Sequence, residues 1–301
     1  MKKNSKITLA VLIAGVILSL AARVFVISAH TDMKTGFLYH GDEPLCNILY
    51  YGIVVIAAVA AIFTAKYDEE NGAFGECTAK CFTGTKAAVI GFLTLIAGLF
   101  AVYEGFTETR AITRNMFLVI INFLFGAGLI ALAFAILFKK EITAGLGFSY
   151  SLVGLYCVGR GIYCFMSRMA IATVPEYLIE CLSLIGMSVF FVLLGRFLSG
   201  NETKNTSKAL CFWGVGTSAL TLSSALGTII ASIFAPEPVR SRIVMTSYAA
   251  ESFRQASEGF EPYQMVYTPW VNVFLGLLTA AVLVMMFIPL SKSDNSETES
   301  N

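Results

Sequence analysis

Charge and histidine are what this sequence has least of. Only 14% of its 301 residues are Asp, Glu, Lys or Arg, against 56% apolar, whereas an ordinary soluble domain is about 25% charged. That deficit leaves too little polar surface to coat a water-facing globule. The mean hydropathy of +0.74 points to lipid as the solvent. The two histidines, His30 and His40, both lie outside the long apolar stretches, so an intramembrane Ser–His hydrolase or His-based metalloprotease has no base or ligand. There is no His-Glu-x-x-His and no glycine-rich phosphate loop. A net charge of +1 supplies no basic face for nucleic acid. Alternating ten-residue strands are missing as well, which argues against a membrane barrel. The chain reads as a non-enzymatic protein with no cofactor and no metal.

What is present is apolar sequence in long runs. Eight stretches, near 7–29, 45–65, 85–103, 115–138, 145–166, 177–197, 209–234 and 269–289, match or approach the ~20 residues a membrane span needs. The first follows Met1-Lys2-Lys3 and imitates a signal peptide. Its apolar run is longer than the usual core and no small-x-small cleavage site follows, so it is read as a helix. The expected fold is all-α, a polytopic transmembrane helical bundle of about eight helices over residues 1–290. Residues 291–301 form a polar tail expected to be disordered.

Orientation follows from basic residues in the connections. With the amino terminus inside, eleven of the twelve lysines fall on the inner side, and eight of the nine arginines fall outside or in the outer half of a helix. Both ends are therefore expected in the cytoplasm. Two outer connections stand out. In the last, Pro236 to Pro269, Val239, Ile243, Ala250 and Phe253 recur at helical spacing, which predicts an amphipathic helix. The first contains Asp32-x-x-Thr35-Gly36-Phe37 after a helix ending in Arg23. This pattern resembles one in uncharacterised bacterial multi-pass membrane proteins over the first ~40 residues. The resemblance implies the cytoplasmic membrane of a bacterium and no particular activity.

Charges inside spans are costly and normally partnered. Arg23 lies in the first helix, Arg160 in the fifth, and Glu180 in the sixth, one turn inside Glu176. Glu104 and Glu108 end the third helix at i,i+4 spacing, with Arg110 and Arg114 opening the fourth beside them. One reading is an outward-facing vestibule in which Arg23 and Arg160 grip a small anionic or zwitterionic solute by their planar forks. In that reading Glu180, with Glu104 and Glu108 nearby, is a candidate proton-coupling carboxylate. The other reading is that these residues pair with one another and fix helix packing, which the near balance of charge favours. Gly159-Arg160-Gly161 is the one candidate for a broken helix. In the seventh helix Thr217, Thr221, Ser224, Thr228 and Ser232 form a hydroxyl stripe, suited to close helix approach or to a hydrated path. Cys77 and Cys81 at C-x3-C spacing lack two further zinc ligands. His30-x-Asp32 and His40-x-Asp42-Glu43 are short polar fragments of the first outer connection.

Two functions from different classes follow. One is solute binding or transport through the outer Arg/Glu cluster. The other is a membrane scaffold or sensor whose Arg/Glu pairs are structural and whose long outer connection meets a protein partner. The bilayer is the only partner that composition itself implies. Orientation is directly testable. Ser257→Cys and Ser293→Cys, each made in a background without native cysteines, should react with impermeant thiol reagents from opposite sides of the membrane. Reaction from one side would overturn the lysine-based orientation.

Overall fold

The computed structural model describes residues 3–31, 39, 41–70, 84–110, 116–138, 144–168, 175–199, 206–234, 243–244, 265–266 and 269–287. These form eight helices: α1 (Lys3–Ala29), α2 (Glu43–Glu70), α3 (Gly84–Arg110), α4 (Met116–Leu137), α5 (Ala144–Arg168), α6 (Pro175–Leu198), α7 (Thr206–Phe234) and α8 (Pro269–Phe287). Six of them, α1 to α4, α6 and α7, are long and apolar enough to cross a bilayer. The chain is a multi-pass integral membrane protein. The apolar stretch of α8, Trp270–Met286, is shorter, and α5 is diluted by polar residues including Arg160; both pack between spanning helices.

Each expected helix is present, but several run past the apolar boundary. α2 continues to Glu70 rather than residue 65, and α3 to Arg110 rather than residue 103. The backbone ladder does not stop where side chains turn polar, because the extra turns can enter the interfacial region or be paired inside the bundle. As a result Glu104 and Glu108 lie within α3 instead of at its end. The amphipathic helix expected in the last connection is not what the described residues there form. Ile243–Val244 is extended and pairs in parallel with Met265–Val266. Three of those four residues are β-branched, which favours the extended backbone, and Val239, Ala250 and Phe253 lie outside the described residues. So do Asp32–Phe37, Cys77, Cys81, the remainder of the last connection and the tail 291–301.

The helices close a ring. α3 packs on α4, α4 on α5, α5 on α6, α6 on α7, α7 on α8, and α8 returns to α3. α1 and α2 pack together against the outside of α7. That makes α7 the central post: 72% of its span is buried, against 33% for α2.

Small residues set the hairpin distances, since lipid offers no hydrophobic drive between helices and close backbone approach must supply the contact. In the α3–α4 hairpin a Cβ on Gly98 would meet the Gly126 carbonyl at 3.0 Å, and one on Gly126 would meet the Gly98 carbonyl at 2.9 Å. The α5–α6 hairpin repeats the device, with a Cβ on Gly147 falling 2.7 Å from the Gly195 carbonyl. Within α4, Gly128 has nothing within 4 Å of its would-be Cβ. Gly126→Ala should therefore lower stability by about 1–3 kcal/mol through overpacking against backbone. Gly128→Ala should leave it unchanged or raise it by up to about 1 kcal/mol. Unfolding of the two variants in detergent compares them directly, and equal effects would discount the hairpin contact.

Candidate functional site

Polar residues concentrate at one level of the ring. Glu104 stands six residues before the end of α3, Asn122 six after the start of α4, Arg160 eight before the end of α5, and Glu180 five after the start of α6. At 1.5 Å per residue these positions form a layer about 8–12 Å below the helix ends. The layer lies toward the face where the odd-numbered helices finish, the outer face in the lysine-based orientation.

Arg160 is the hub. It is buried, and its Nη1 donates to Glu104 Oε2 at 2.8 Å and to the Tyr156 hydroxyl at 3.0 Å. Nη2 lies 3.9 Å from Glu180 Oε1. Tyr156 in turn donates to Asn122 Oδ1 at 2.8 Å and stacks on Phe125 with centroids 3.6 Å apart. Arg160 thus touches α3, across the ring from its own helix, more tightly than α6 beside it. Glu180, on the adjacent helix, makes the looser contact, and Glu104 is the closer partner. α5 runs unbroken through Gly159-Arg160-Gly161, so those glycines do not mark unwinding. They make room: a Cβ on Gly159 would fall 2.8 Å from Ile121 of α4, and one on Gly161 would fall 3.6 Å from Leu184 of α6.

The remaining candidates are placed around this hub. Glu108, one turn beyond Glu104, is also buried. Glu104 Oε1 is buried without a hydrogen bond, although the Val271 N–H at the start of α8 faces the same carboxylate. Arg23 sits in a neighbouring group. Its guanidinium lies 5.9 Å from the Tyr50 ring centroid, and its stem runs over Gly227, where a Cβ would come within 2.9 Å of Arg23 Cγ. Tyr50 hydrogen-bonds Ser223 at 2.8 Å and donates to the Leu220 carbonyl at 3.2 Å. Ala22 and Ile179, the neighbours of Arg23 and Glu180, share one apolar cluster. The side chains of Arg110, Arg168 and Glu176, and all of Arg114, lie outside the described residues.

At the rim, His30 and Asp42 join the end of α1 to the start of α2, with Nδ1 to Oδ2 at 2.8 Å. Gly41 with φ of 95° makes the turn, and the Asp42 carbonyl accepts from the Cys46 N–H at 3.0 Å as α2 begins. This pair staples two helix ends. Inward of the polar layer the ring is filled by Tyr150, Leu184, Met187, Phe190, Phe191 and Leu278, all fully buried. These apolar side chains occupy much of the ring interior inward of the layer.

Asn122, Tyr156 and Ser183 were not read from the sequence as site residues. Asn122 carried a usable signal, being the one polar side chain in α4. Tyr156 is placed i,i+4 from Arg160 on the same helix face. No protein-family model, curated protein or solved structure matches this chain, so the site stands on its own geometry. Chemically, the layer presents a buried guanidinium, two carboxylates, a phenol and an amide within one hydrogen-bonded group.

Removing Arg160 alone should strand buried carboxylates. Arg160→Gln is expected to cost about 3–5 kcal/mol. In double-mutant cycles with Glu104→Gln and Glu180→Gln, the coupling to Glu104 should exceed the coupling to Glu180. Equal couplings, or none, would mean that the guanidinium does not hold the ring closed.

Proposed function

We propose that this membrane protein binds a small zwitterionic solute in the outer half of its six-helix ring, and that binding serves uptake or sensing of that solute. The observation that carries this reading is the buried charge at one end of the bundle. Among the described side chains there, Arg23 and Arg160 stand with Glu104, Glu108 and Glu180, all buried. A solute ammonium group would meet Glu104 and Glu108, while its carboxylate would compete with Glu180 for Arg160, a contact at 3.9 Å that is looser than the one to Glu104. A purely anionic solute fits less well, because it would enter beside three buried carboxylates. The orientation, outside-facing in the cytoplasmic membrane of a bacterium, rests on lysine placement and on the first-connection resemblance.

A scaffold or sensor reading also has an observation in its favour. Arg160 is already held by Glu104 and Tyr156, and a guanidinium so engaged can serve packing alone. Melting curves separate the two readings. Purified protein should gain stability with some members of a panel of α-amino acids and betaines, since a ligand that binds only the native state raises its stability. Simple dicarboxylates should give less. Arg160→Lys keeps the charge and loses the two-pronged fork, so it should fold and bind more weakly by roughly tenfold or more. If no zwitterion moves the melting temperature and Arg160→Lys lowers it without any solute, the layer is a packing device.

A further inference from the structure

A second polar group lies directly inward of the charged layer, on the facing sides of α6 and α7. Ser183, Thr217, Ser218 and Thr221 are buried, each at most 3% exposed. None of their four hydroxyl oxygens has a hydrogen-bond partner. That is unusual within this same protein. The hydroxyls of Ser19, Thr94, Ser151, Ser188, Thr228 and Thr279 all donate to the carbonyl three or four residues earlier in their own helices, the ordinary way a hydroxyl is satisfied in lipid. The four on α6 and α7 do not take that option.

Register brings Ser183, Thr217 and Thr221 to one place, whereas Ser218, the residue after Thr217, turns about 100° away from it. A Cβ on Gly186 would fall 2.5 Å from Thr217 Oγ1, so Thr217 is aimed at α6. The short connection makes α6 and α7 antiparallel neighbours. One turn toward the outer face from that contact stand Ser183 on α6 and Thr221 on α7. Thr221 reaches the α7–α8 seam, where a Cβ on Gly276 would meet its Cγ2 at 3.2 Å. Ser183 is three residues from Glu180, on the same face of α6.

Desolvated hydroxyls without partners are costly in a bilayer, and one turn outward of Ser183 stands the buried carboxylate of Glu180, 3.9 Å from Arg160. A single positive charge held by neutral oxygens answers both. We infer that the hydroxyl cluster between α6 and α7 is a binding site for a monovalent alkali cation, sodium or potassium, seated one turn inward of Glu180. A divalent ion is the poorer match. Calcium and magnesium take carboxylate oxygens directly, and among the described residues no three His, Cys, Asp or Glu side chains converge as a metal site. Small alkali ions are held in membrane proteins by neutral carbonyl and hydroxyl oxygens. A zwitterion carries no net charge, so the ion complements the proposed solute without depending on it.

The test uses the full-length protein in detergent, with no solute added. Its melting temperature is measured in the chlorides of sodium, potassium and N-methylglucamine at equal ionic strength. One alkali ion should raise it saturably by about 3 °C or more over N-methylglucamine. Thr217→Val and Ser183→Ala should each move half-saturation to roughly tenfold higher ion concentration or abolish the response, while Thr221→Ser, which keeps the hydroxyl, should retain it. Arg160→Lys should keep the ion response even where it loses a solute, which separates this site from the solute reading. Identical melting in all three salts overturns the inference, as does an alkali response unchanged in both Thr217→Val and Ser183→Ala. Should either variant fail to fold, the three-salt comparison of the unaltered chain still decides.

Discussion

A charged guanidinium in the interior of a membrane bundle must be partnered, and the Arg160–Glu104 pair is the constraint on which the arrangement of α3 to α6 depends. Desolvating either group alone costs several kcal/mol even after relaxation. The two helices that carry them are not sequence neighbours in the ring; α4 lies between them on one side and α6, α7 and α8 on the other. The 2.8 Å contact therefore spans the ring interior. It ties the axial register of α3 to that of α5, because sliding either helix along the other would break it. Tyr156 and Asn122 extend the same requirement to α4, and Glu180 extends it to α6.

Packing serves that constraint. Arg160 can project inward only if the surrounding helices close around α5, and the flanking glycines permit this. Gly159 accepts α4 and Gly161 accepts α6. The paired glycines of the two hairpins, Gly98 with Gly126 and Gly147 with Gly195, draw backbone against backbone at the same time. The aromatic residues then divide the interior into two levels. Phe125 stacks under the charged layer on Tyr156. Tyr150, Phe190 and Phe191 pack edge and face nearer the inner end, with centroids 5.3 Å and 6.2 Å apart. One level is charged and the other is aromatic.

Much of this was legible in the sequence, for reasons that differ by residue. Helix number and type follow from apolar runs that only a bilayer explains. Arg160, Glu104, Glu108 and Glu180 stood out because charge within a span is rare; all four are buried, Glu108 one turn outward of Glu104. Their pairing was harder to read. Sequence proximity favoured Glu180 for Arg160, whereas ring closure, which no local pattern reveals, placed Glu104 closer. Arg23 shares their depth along its helix, yet its helix packs outside the ring, and depth says nothing of azimuth. The glycines beside Arg160 suggested a broken helix, because glycine marks both unwinding and close approach, and only the neighbours distinguish the two. The last connection misled for a similar reason. Two of the four apolar residues at helical spacing there, Val239 and Ile243, are also β-branched, and at Ile243, the one of the four that is described, the chain is extended and pairs with Met265.

The contrast between satisfied and unsatisfied groups bears on whether the interior is only a packing device. A purely structural polar layer is expected to close its own hydrogen bonds, since every open one weakens the bundle it is meant to hold. Parts of this protein do so. Tyr50 engages Ser223 and the Leu220 carbonyl, and Thr228 donates back along α7. The Arg160 hub joins Glu104, Tyr156 and Asn122 into a connected chain. Beside these closed groups, Glu104 Oε1 and the hydroxyls of Ser183, Thr217, Ser218 and Thr221 remain open. Thr221 and Thr228 lie on one helix two turns apart, are buried alike, and differ only in that one bonds its own backbone. Helix propensity and burial cannot account for that difference, because both are the same at the two sites. What differs is what each position faces: Thr217 and Thr221 stand against glycines of the neighbouring helices, Gly186 and Gly276. The inferred cation would complete the hydroxyls that this packing leaves open.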